Sequence, residues 1–327
     1  MIFPSLDRVK AIAPGYDIVP VYMEILSDVR TPISVLKALK QVSSHTYLLE
    51  SADNSNHWGR YSFLGYDPKI ELFCKNHKMT IKDGTTRTFK CSDPAAEIRN
   101  ILSQYKSPRL EELPTFTGGF VGYFACEYIR YIEPTPDDDS AMVNDVDLML
   151  FDKVIAFDHY KNKIYLIANI STNDLERNYN KAELELKALA DLVVNGKEAD
   201  IPKGILKTEF TSEFTKDEFE AVVKKTQHYI KEGDIFQCVV SNRREAEFDG
   251  SLLNAYRVLR TLNPSPYMFY LSGGDVELTG ASPETLVKLT DGKMYTFPIA
   301  GTMRRGKTEA EDLAIEEKLI NDEKELA

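Results

Sequence analysis

The chain has 327 residues, 43% of them apolar and 28% charged, an ordinary soluble composition with room for one large domain or two smaller ones. Its net charge of -11 argues against nucleic acid, whose binding needs cations to displace counterions, and against an anionic membrane surface. A small anionic ligand stays open if local cations, backbone amides or a metal receive it. The cysteines, Cys74, Cys91, Cys126 and Cys238, match neither a zinc spacing nor a disulfide framework, so reduced thiols in a cytoplasmic protein are expected. "MIFPSLDRVK" lacks the form of a signal peptide, and no stretch approaches the length of a membrane span.

In chain order, "TPISVLKALK" predicts a short helix capped by Thr31 with Pro32 at its first position. "HTYLLES" and "RYSFLGYDPKIELFCKNHKMTIKDGTTRTF" predict strands, with turns at Asp67-Pro68 and Asp83-Gly84. "DPAAEIRNILSQY" predicts a helix capped by Asp93. "GGFVGYFACEYIRYIE" precedes an acidic loop at "PTPDDDS", and "DLMLFDKVIAFDHYKNKIYLIANI" predicts a hairpin turning at Lys161-Asn162. A charged helix covers roughly residues 172 to 195. The best linker lies over 196–212, between an N-terminal region (1–195) and a region from 213 to 327.

Thr215 and Glu218 form a capping box for a helix whose apolar positions run from Phe219 to Ile230 and which Gly233 closes. A strand is expected in "DIFQCVVSNRREAEF", a helix over about 251–262, then extended "NPSPYMFYL", a strand "DVELTG", and a hairpin "ETLVKLTDGKMYTFPIAG" turning at Asp291-Gly292. Thr308 and Glu311 predict a second capping box, opening one amphipathic helix from Glu309 to Ala327 with an acidic face. That helix stops without a glycine or polar tail, so the sequence reads as a fragment cut in mid-helix. The class is α+β, with antiparallel strands and helices packed on them.

Four motifs invite a chemical reading. In "PIAGTMRRG", Gly301 lets the backbone approach a ligand, and consecutive amides there can cradle a carboxylate; alone, the commoner reading is a turn with solvated arginines. In "TGASPETLVKL", Glu284 can act as a general acid if burial raises its pKa; alone, an exposed turn glutamate is commoner. Gln237 and Arg243 fall on one face of the expected strand, where a half-polar face suffices as explanation. "LLESADNSNHWGRYSFLG" and "NPSPYMFYL" together suit an apolar slot with polar ends, the shape for an amino acid; singly, core packing and capping explain them.

The joint order of these motifs decides. "LLES", "RYSFLG", "GDIFQ", "NPSPYMFY", "TGASPE", "PIAGT" and "DEKELA" span Leu48 to Ala327, and together the chain resembles the large subunit of anthranilate synthase, within the chorismate-utilising enzymes. The resemblance implies one interwoven fold of two packed antiparallel sheets with surrounding helices. It implies a lyase that converts chorismate and ammonia to anthranilate and pyruvate with Mg2+, in tryptophan biosynthesis. A separate glutamine amidotransferase subunit supplies the ammonia, and tryptophan inhibits by feedback. By the same resemblance Gly301 and Thr302 contact a chorismate carboxylate, and Glu284 protonates the departing ring hydroxyl. Gln237 stands where water-adding members carry a lysine base; a neutral amide cannot deprotonate water, which fits ammonia. Glu50 and Ser51 match one side of the tryptophan site; Asn263, Pro264, Pro266, Tyr267, Met268, Phe269 and Gly280 match the other.

Two stretches depart from the family pattern. "GTMRRG" replaces the commoner "GTRPRG", leaving the roles of Arg304 and Arg305 open. The family continues "DEKELA" with Glu-His, that glutamate being a magnesium ligand, so the metal ligands are expected beyond Ala327 and the 327-residue chain alone is expected to be inactive. Aminodeoxychorismate synthase shares most of these motifs, but its bacterial forms carry lysine where Ala300 stands, and alanine cannot be a covalent nucleophile. Salicylate and isochorismate synthases share the alanine, but Gln237 and "LLES" argue against them. A tryptophan-binding module without catalysis is the reading from another class.

Overall fold

Strands with one apolar face and strands apolar on both faces resolve into two antiparallel sheets stacked on each other. The computed structural model describes residues 1–51, 59–133, 142–236, 238–274, 276–297 and 301–326. Its first part runs α1 (Leu6–Ile12), β1 (Ile18–Leu26), α2 (Pro32–Leu39), β2 (Thr46–Glu50), β3 (Tyr61–Tyr66), β4 (Ile70–Lys75), β5 (Lys78–Lys82), β6 (Thr86–Lys90), α3 (Pro94–Leu102) and β7 (Gly119–Phe124). A 3-10 segment over Cys126–Tyr131 follows, then β8 (Val146–Phe151), β9 (Lys153–Asp158), β10 (Lys163–Ser171) and α4 (Leu175–Asn195). The remainder is β11 (Ile205–Leu206), β12 (Thr211–Ser212), α5 (Lys216–Glu232), β13 (Arg244–Glu245), β14 (Phe248–Asp249), α6 (Leu253–Leu262), β15 (Tyr267–Gly273), β16 (Val276–Ser282), β17 (Lys288–Thr290), β18 (Lys293–Tyr295), α7 (Glu309–Ile320) and α8 (Glu323–Leu326).

The larger sheet has the order β1-β10-β9-β3-β2-β15-β16 and the smaller β6-β5-β4-β8-β7. One face of the larger sheet, through Leu48, Leu64, Phe157, Leu166 and Met268, buries against Leu36 and Leu39 of α2, Leu186 and Leu189 of α4, and Tyr256 of α6. Its other face meets the smaller sheet, where Tyr47 and Leu271 pack on Val121, Met149 and Phe151. Both faces of β9 and β10 are covered, which is why their sequences read as continuous apolar runs. The β15–β16 hairpin adds to β2, so residues on both sides of the expected linker build one sheet.

The predicted caps hold. Thr31 Oγ1 accepts from the Ser34 amide, Asp93 from Ala96, and Thr215 with Glu218 completes the reciprocal box, with Gly233 left-handed at φ 84°. The turns at Lys161-Asn162 and Asp291-Gly292 also form, with positive φ at Asn162, Asp291 and Gly292.

Other expectations need correction. Residues 146–171 are no single hairpin: β8 belongs to the smaller sheet and β9 to the larger, and the chain crosses between them at Asp152. The 196–212 segment carries β11 and β12, which pair with β14 and β13. Over 238–243 no strand forms, because none of the described strands offers it a ladder, and Val239 is left exposed. The hairpin strand ends at Tyr295, short of Gly301. At Thr308 the box is half made: Thr308 accepts from Glu311, but the Glu311 carboxylate bonds the Lys307 amide instead. The long final helix breaks at Asn321, which caps α7 by bonding back to Glu317 and Leu319, and no α7 residue is buried.

Candidate functional site

The pleat of β2 decides what its end can do. Alternate residues of a strand face opposite sides. Leu48 and Glu50 therefore face the helices, while Tyr47 and Leu49 face the smaller sheet. On β15 the same alternation turns Met268 and Tyr270 toward the helices, and Tyr267 and Phe269 toward the smaller sheet. The pairs Glu50 with Met268 and Leu49 with Phe269 fix this register.

Where β2 ends and β15 begins, a cavity of about 670 Å³ opens between the strands and the 284–288 segment. Its walls include Leu49, Phe63 and Pro266, the hydroxyl residues Ser51, Tyr61, Thr115, Tyr267 and Thr285, and the charged Arg60, Glu284 and Lys288. A concavity of this size that combines apolar walls with convergent polar groups can receive a small molecule. The Ser51 hydroxyl is buried and has no hydrogen-bond partner among the described residues. Such a group costs free energy until a ligand or water meets it.

Several polar groups around the cavity are fixed in place. Arg60 is held in a fork by the fully buried Asp158, Nε to Oδ1 at 3.1 Å and Nη2 to Oδ2 at 2.7 Å. Burial alone would raise the Asp158 carboxyl, but Arg60 and the amides of Lys161 and Tyr160 outweigh it and hold the pKa below the ordinary value. Burial, with the Asp158 charge beside it, pushes the Tyr61 phenol up to about 12, so it stays a neutral donor. Tyr267 Oη lies 2.6 Å from Thr285 Oγ1, tying the start of β15 to the segment after Glu284.

Glu50 contributes to the cavity wall, yet its carboxylate turns toward α6. It accepts from Arg260 Nε at 2.7 Å and from Tyr256 Oη at 2.7 Å. Beneath it, Ser62 Oγ lies 2.8 Å from His159 Nε2, and burial lowers the His159 pKa against the pull of Glu50 and Asp158.

The structure thus gathers Ser51, Pro266, Tyr267 and Glu284 around one cavity, with Glu50 in its wall. Met268 is instead buried under the helices. Phe269 packs between the sheets over Gly280, where an added Cβ would fall 2.4 Å from the ring. Asn263 caps α6 through its amide, and it and Pro264 are exposed away from the cavity. Gly301 and Thr302 lie in an irregular segment and do not line it. Glu284 is exposed, its amide meeting Ser282 Oγ at 3.4 Å, so the burial its expected acid role needs does not come from the described residues. Gln237 and Ala300 fall outside the described residues. Arg243 pairs with Glu245, and Arg305 with Asp312 at 2.6 Å.

Sequence reasoning missed Arg60 and Tyr61, although both stand in the quoted "RYSFLG", and it missed Tyr256 and Arg260. Arg60 carried a signal, a cation opening an apolar strand; Arg260 reads as an ordinary surface position of α6. Among the described residues no three His, Cys, Asp or Glu side chains gather as a metal site, so these residues do not fit Mg2+. No described helix is long and apolar enough to cross a membrane.

A two-sheet core with helices on the outer faces and an inter-sheet cavity defines the class: residues 45–327 match the family model described as chorismate binding enzyme, and the chain belongs to that family. Within it, the chain is similar over its whole length to proteins named anthranilate synthase component 1. It is 38% identical to the one from Acetivibrio thermocellus over 100% of this chain and 68% of the relative. It is 38% identical to that of Aquifex aeolicus over 99% of this chain and 67% of the relative. The crystal structure of anthranilate synthase component I from Streptococcus pneumoniae superposes with a TM-score of 0.62 at 28% identity, covering 92% of this chain and 65% of that one. The menaquinone-specific isochorismate synthase of Escherichia coli, at 15% identity and a TM-score of 0.59, shares the fold. The chain spans about two thirds of the length of these relatives.

Proposed function

We propose that the chain is part of an anthranilate synthase large component, about two thirds of its length, which converts chorismate and ammonia to anthranilate and pyruvate. The observation that carries this is similarity across the whole chain to relatives of that name, 38% identical. In this reading the cavity at Ser51 receives tryptophan as feedback inhibitor. Its apolar walls suit an indole, and the Ser51 hydroxyl, without a partner among the described residues, suits a polar end. Glu284 at the cavity rim donates the proton to the departing ring hydroxyl once the rest of the protein and the substrate bury it. Gly301 and Thr302 offer amides to a substrate carboxylate. Gln237 leaves water unactivated, so ammonia is the nucleophile. Mg2+ belongs to the same proposal, its ligands assigned to the additional length of the relatives, as does a glutamine amidotransferase partner.

The test is formation of fluorescent anthranilate from chorismate. A protein with the relatives' full length should turn over with ammonium and Mg2+, and with glutamine only when the amidotransferase is added. The 327-residue chain should be inactive under the same conditions. Glutamine-dependent turnover by the single polypeptide, or comparable activity from the short chain, would overturn these assignments. In the full-length protein Ser51→Phe should leave ammonium-dependent turnover largely intact and weaken tryptophan inhibition by more than the roughly fivefold that a lost bond of about 1 kcal/mol gives, since steric bulk adds to it. Unchanged inhibition would move the inhibitor elsewhere.

A further inference from the structure

Ser51 lies just past the last rung of its sheet. The β2–β3 ladder stops at Leu49 with Phe63, and the β2–β15 ladder at Glu50 with Met268. Beyond those rungs neither ladder orients the Ser51 peptide. What precedes it is a side chain held more firmly than any strand end requires. The Glu50 side chain is 7% exposed, and its carboxylate accepts from Arg260 through Nε at 2.7 Å and Nη2 at 2.9 Å, and from Tyr256 Oη at 2.7 Å. Tyr256 is fully buried, and the Arg260 guanidinium lies over its ring, 5.9 Å from the centroid. A bidentate, charge-assisted bond fixes direction as well as distance. Anchoring Glu50 toward α6 restrains the backbone that carries Ser51 into the cavity wall.

We propose that Arg260 and Tyr256 are positioning residues that clamp Glu50 and thereby fix Ser51, whose hydroxyl is buried in the cavity wall, making α6 part of the binding site without touching the ligand. This rests on the reading of the cavity as an amino-acid site, and the test separates the two. The clamp predicts a buried, fixed side chain at position 51, and this is measurable without any ligand. In the full chain, Ser51→Cys places a thiol there whose alkylation by iodoacetamide is followed on its own peptide, apart from the exposed Cys126 and Cys238. Adding Arg260→Lys, which keeps charge but loses the fork, or Tyr256→Phe, which keeps volume but loses the donor, should speed that alkylation at least tenfold. The melting temperature, read alongside, separates local release from general unfolding. An unchanged alkylation rate in both folded variants overturns the clamp. Calorimetry with L-tryptophan then reads the occupant. Arg260→Lys should weaken binding about tenfold, and should add nothing to Ser51→Ala, because it acts through that residue. Additive losses overturn the clamp as the route of action. Faster alkylation with no tryptophan binding by the parent chain upholds the clamp and overturns the assigned occupant.

Discussion

Tyr47 illustrates how a single residue carries both a gain and a cost. Its ring packs edge-on against Phe151 between the sheets and fills the space over Gly65, where an added Cβ would fall 2.2 Å from the ring. Its hydroxyl is buried without a partner among the described residues, and burial drives its pKa far up. Replacing such a group by an apolar one of the same shape removes a desolvation cost. Tyr47→Phe is therefore expected to be neutral or to stabilise by about 1 kcal/mol in urea unfolding. A loss of stability would mean that water or an undescribed residue meets the hydroxyl. His159 gives a pH signature. Burial lowers its pKa in the folded chain, so below pH 6.5 the unfolded chain takes up the proton first. The stability fully present at pH 7.5 is then lost as pH falls from about 6.5 toward the lowered value. His159→Gln should flatten that part of the profile; an unaltered slope between pH 7.5 and 5.5 would exclude His159 as its source.

At the scale of elements, a cap matters in proportion to what its helix buries. α2 buries Ile33, Val35, Leu36, Ala38 and Leu39, whereas α5 buries none of its residues. Thr31→Ala should lower global stability by about 1 kcal/mol in denaturant unfolding. Thr215→Ala removes a better-formed box, yet should raise hydrogen exchange in α5 and leave the global midpoint where it was. Equal shifts from both would show that α5 is docked on the core. Caps and tight turns were legible in the sequence because their bonds span three or four residues: Thr31 to Ser34, Asp93 to Ala96, Asp291-Gly292. The 238–243 stretch was misread because β-propensity describes a fit to a neighbouring strand, and the described chain supplies none.

Across the whole molecule, stability resides in the stacking of the two sheets. Phe151 sits at the end of β8 with 1% of its surface exposed, touching both sheets just before the chain crosses between them at Asp152. Phe151→Ala should cost about 3–5 kcal/mol, lost transfer energy plus a cavity the rigid sheets cannot close. A loss near 1 kcal/mol, read from denaturant unfolding, would mean that the interface relaxes around the gap. The α5 and α7 faces contribute little to this core, since neither buries a residue.

Sequence alone determined what rests on local bonding and on pattern: the α+β class, the helix caps, the hairpin turns at Asn162 and Gly292, and the family through its ordered motifs. It also singled out Ser51, Pro266, Tyr267 and Glu284, which the fold brings to one cavity. Tertiary structure alone decided which of the motif residues face that cavity. The pleat sends Glu50 and Met268 toward the helices and Leu49 and Phe269 toward the other sheet, and this follows from the register between β2 and β15, more than two hundred residues apart. The Arg260–Glu50 and Arg60–Asp158 pairs were hidden for the same reason. Each joins charges that are distant in sequence, and only the folding of both sheets brings them within hydrogen-bonding distance.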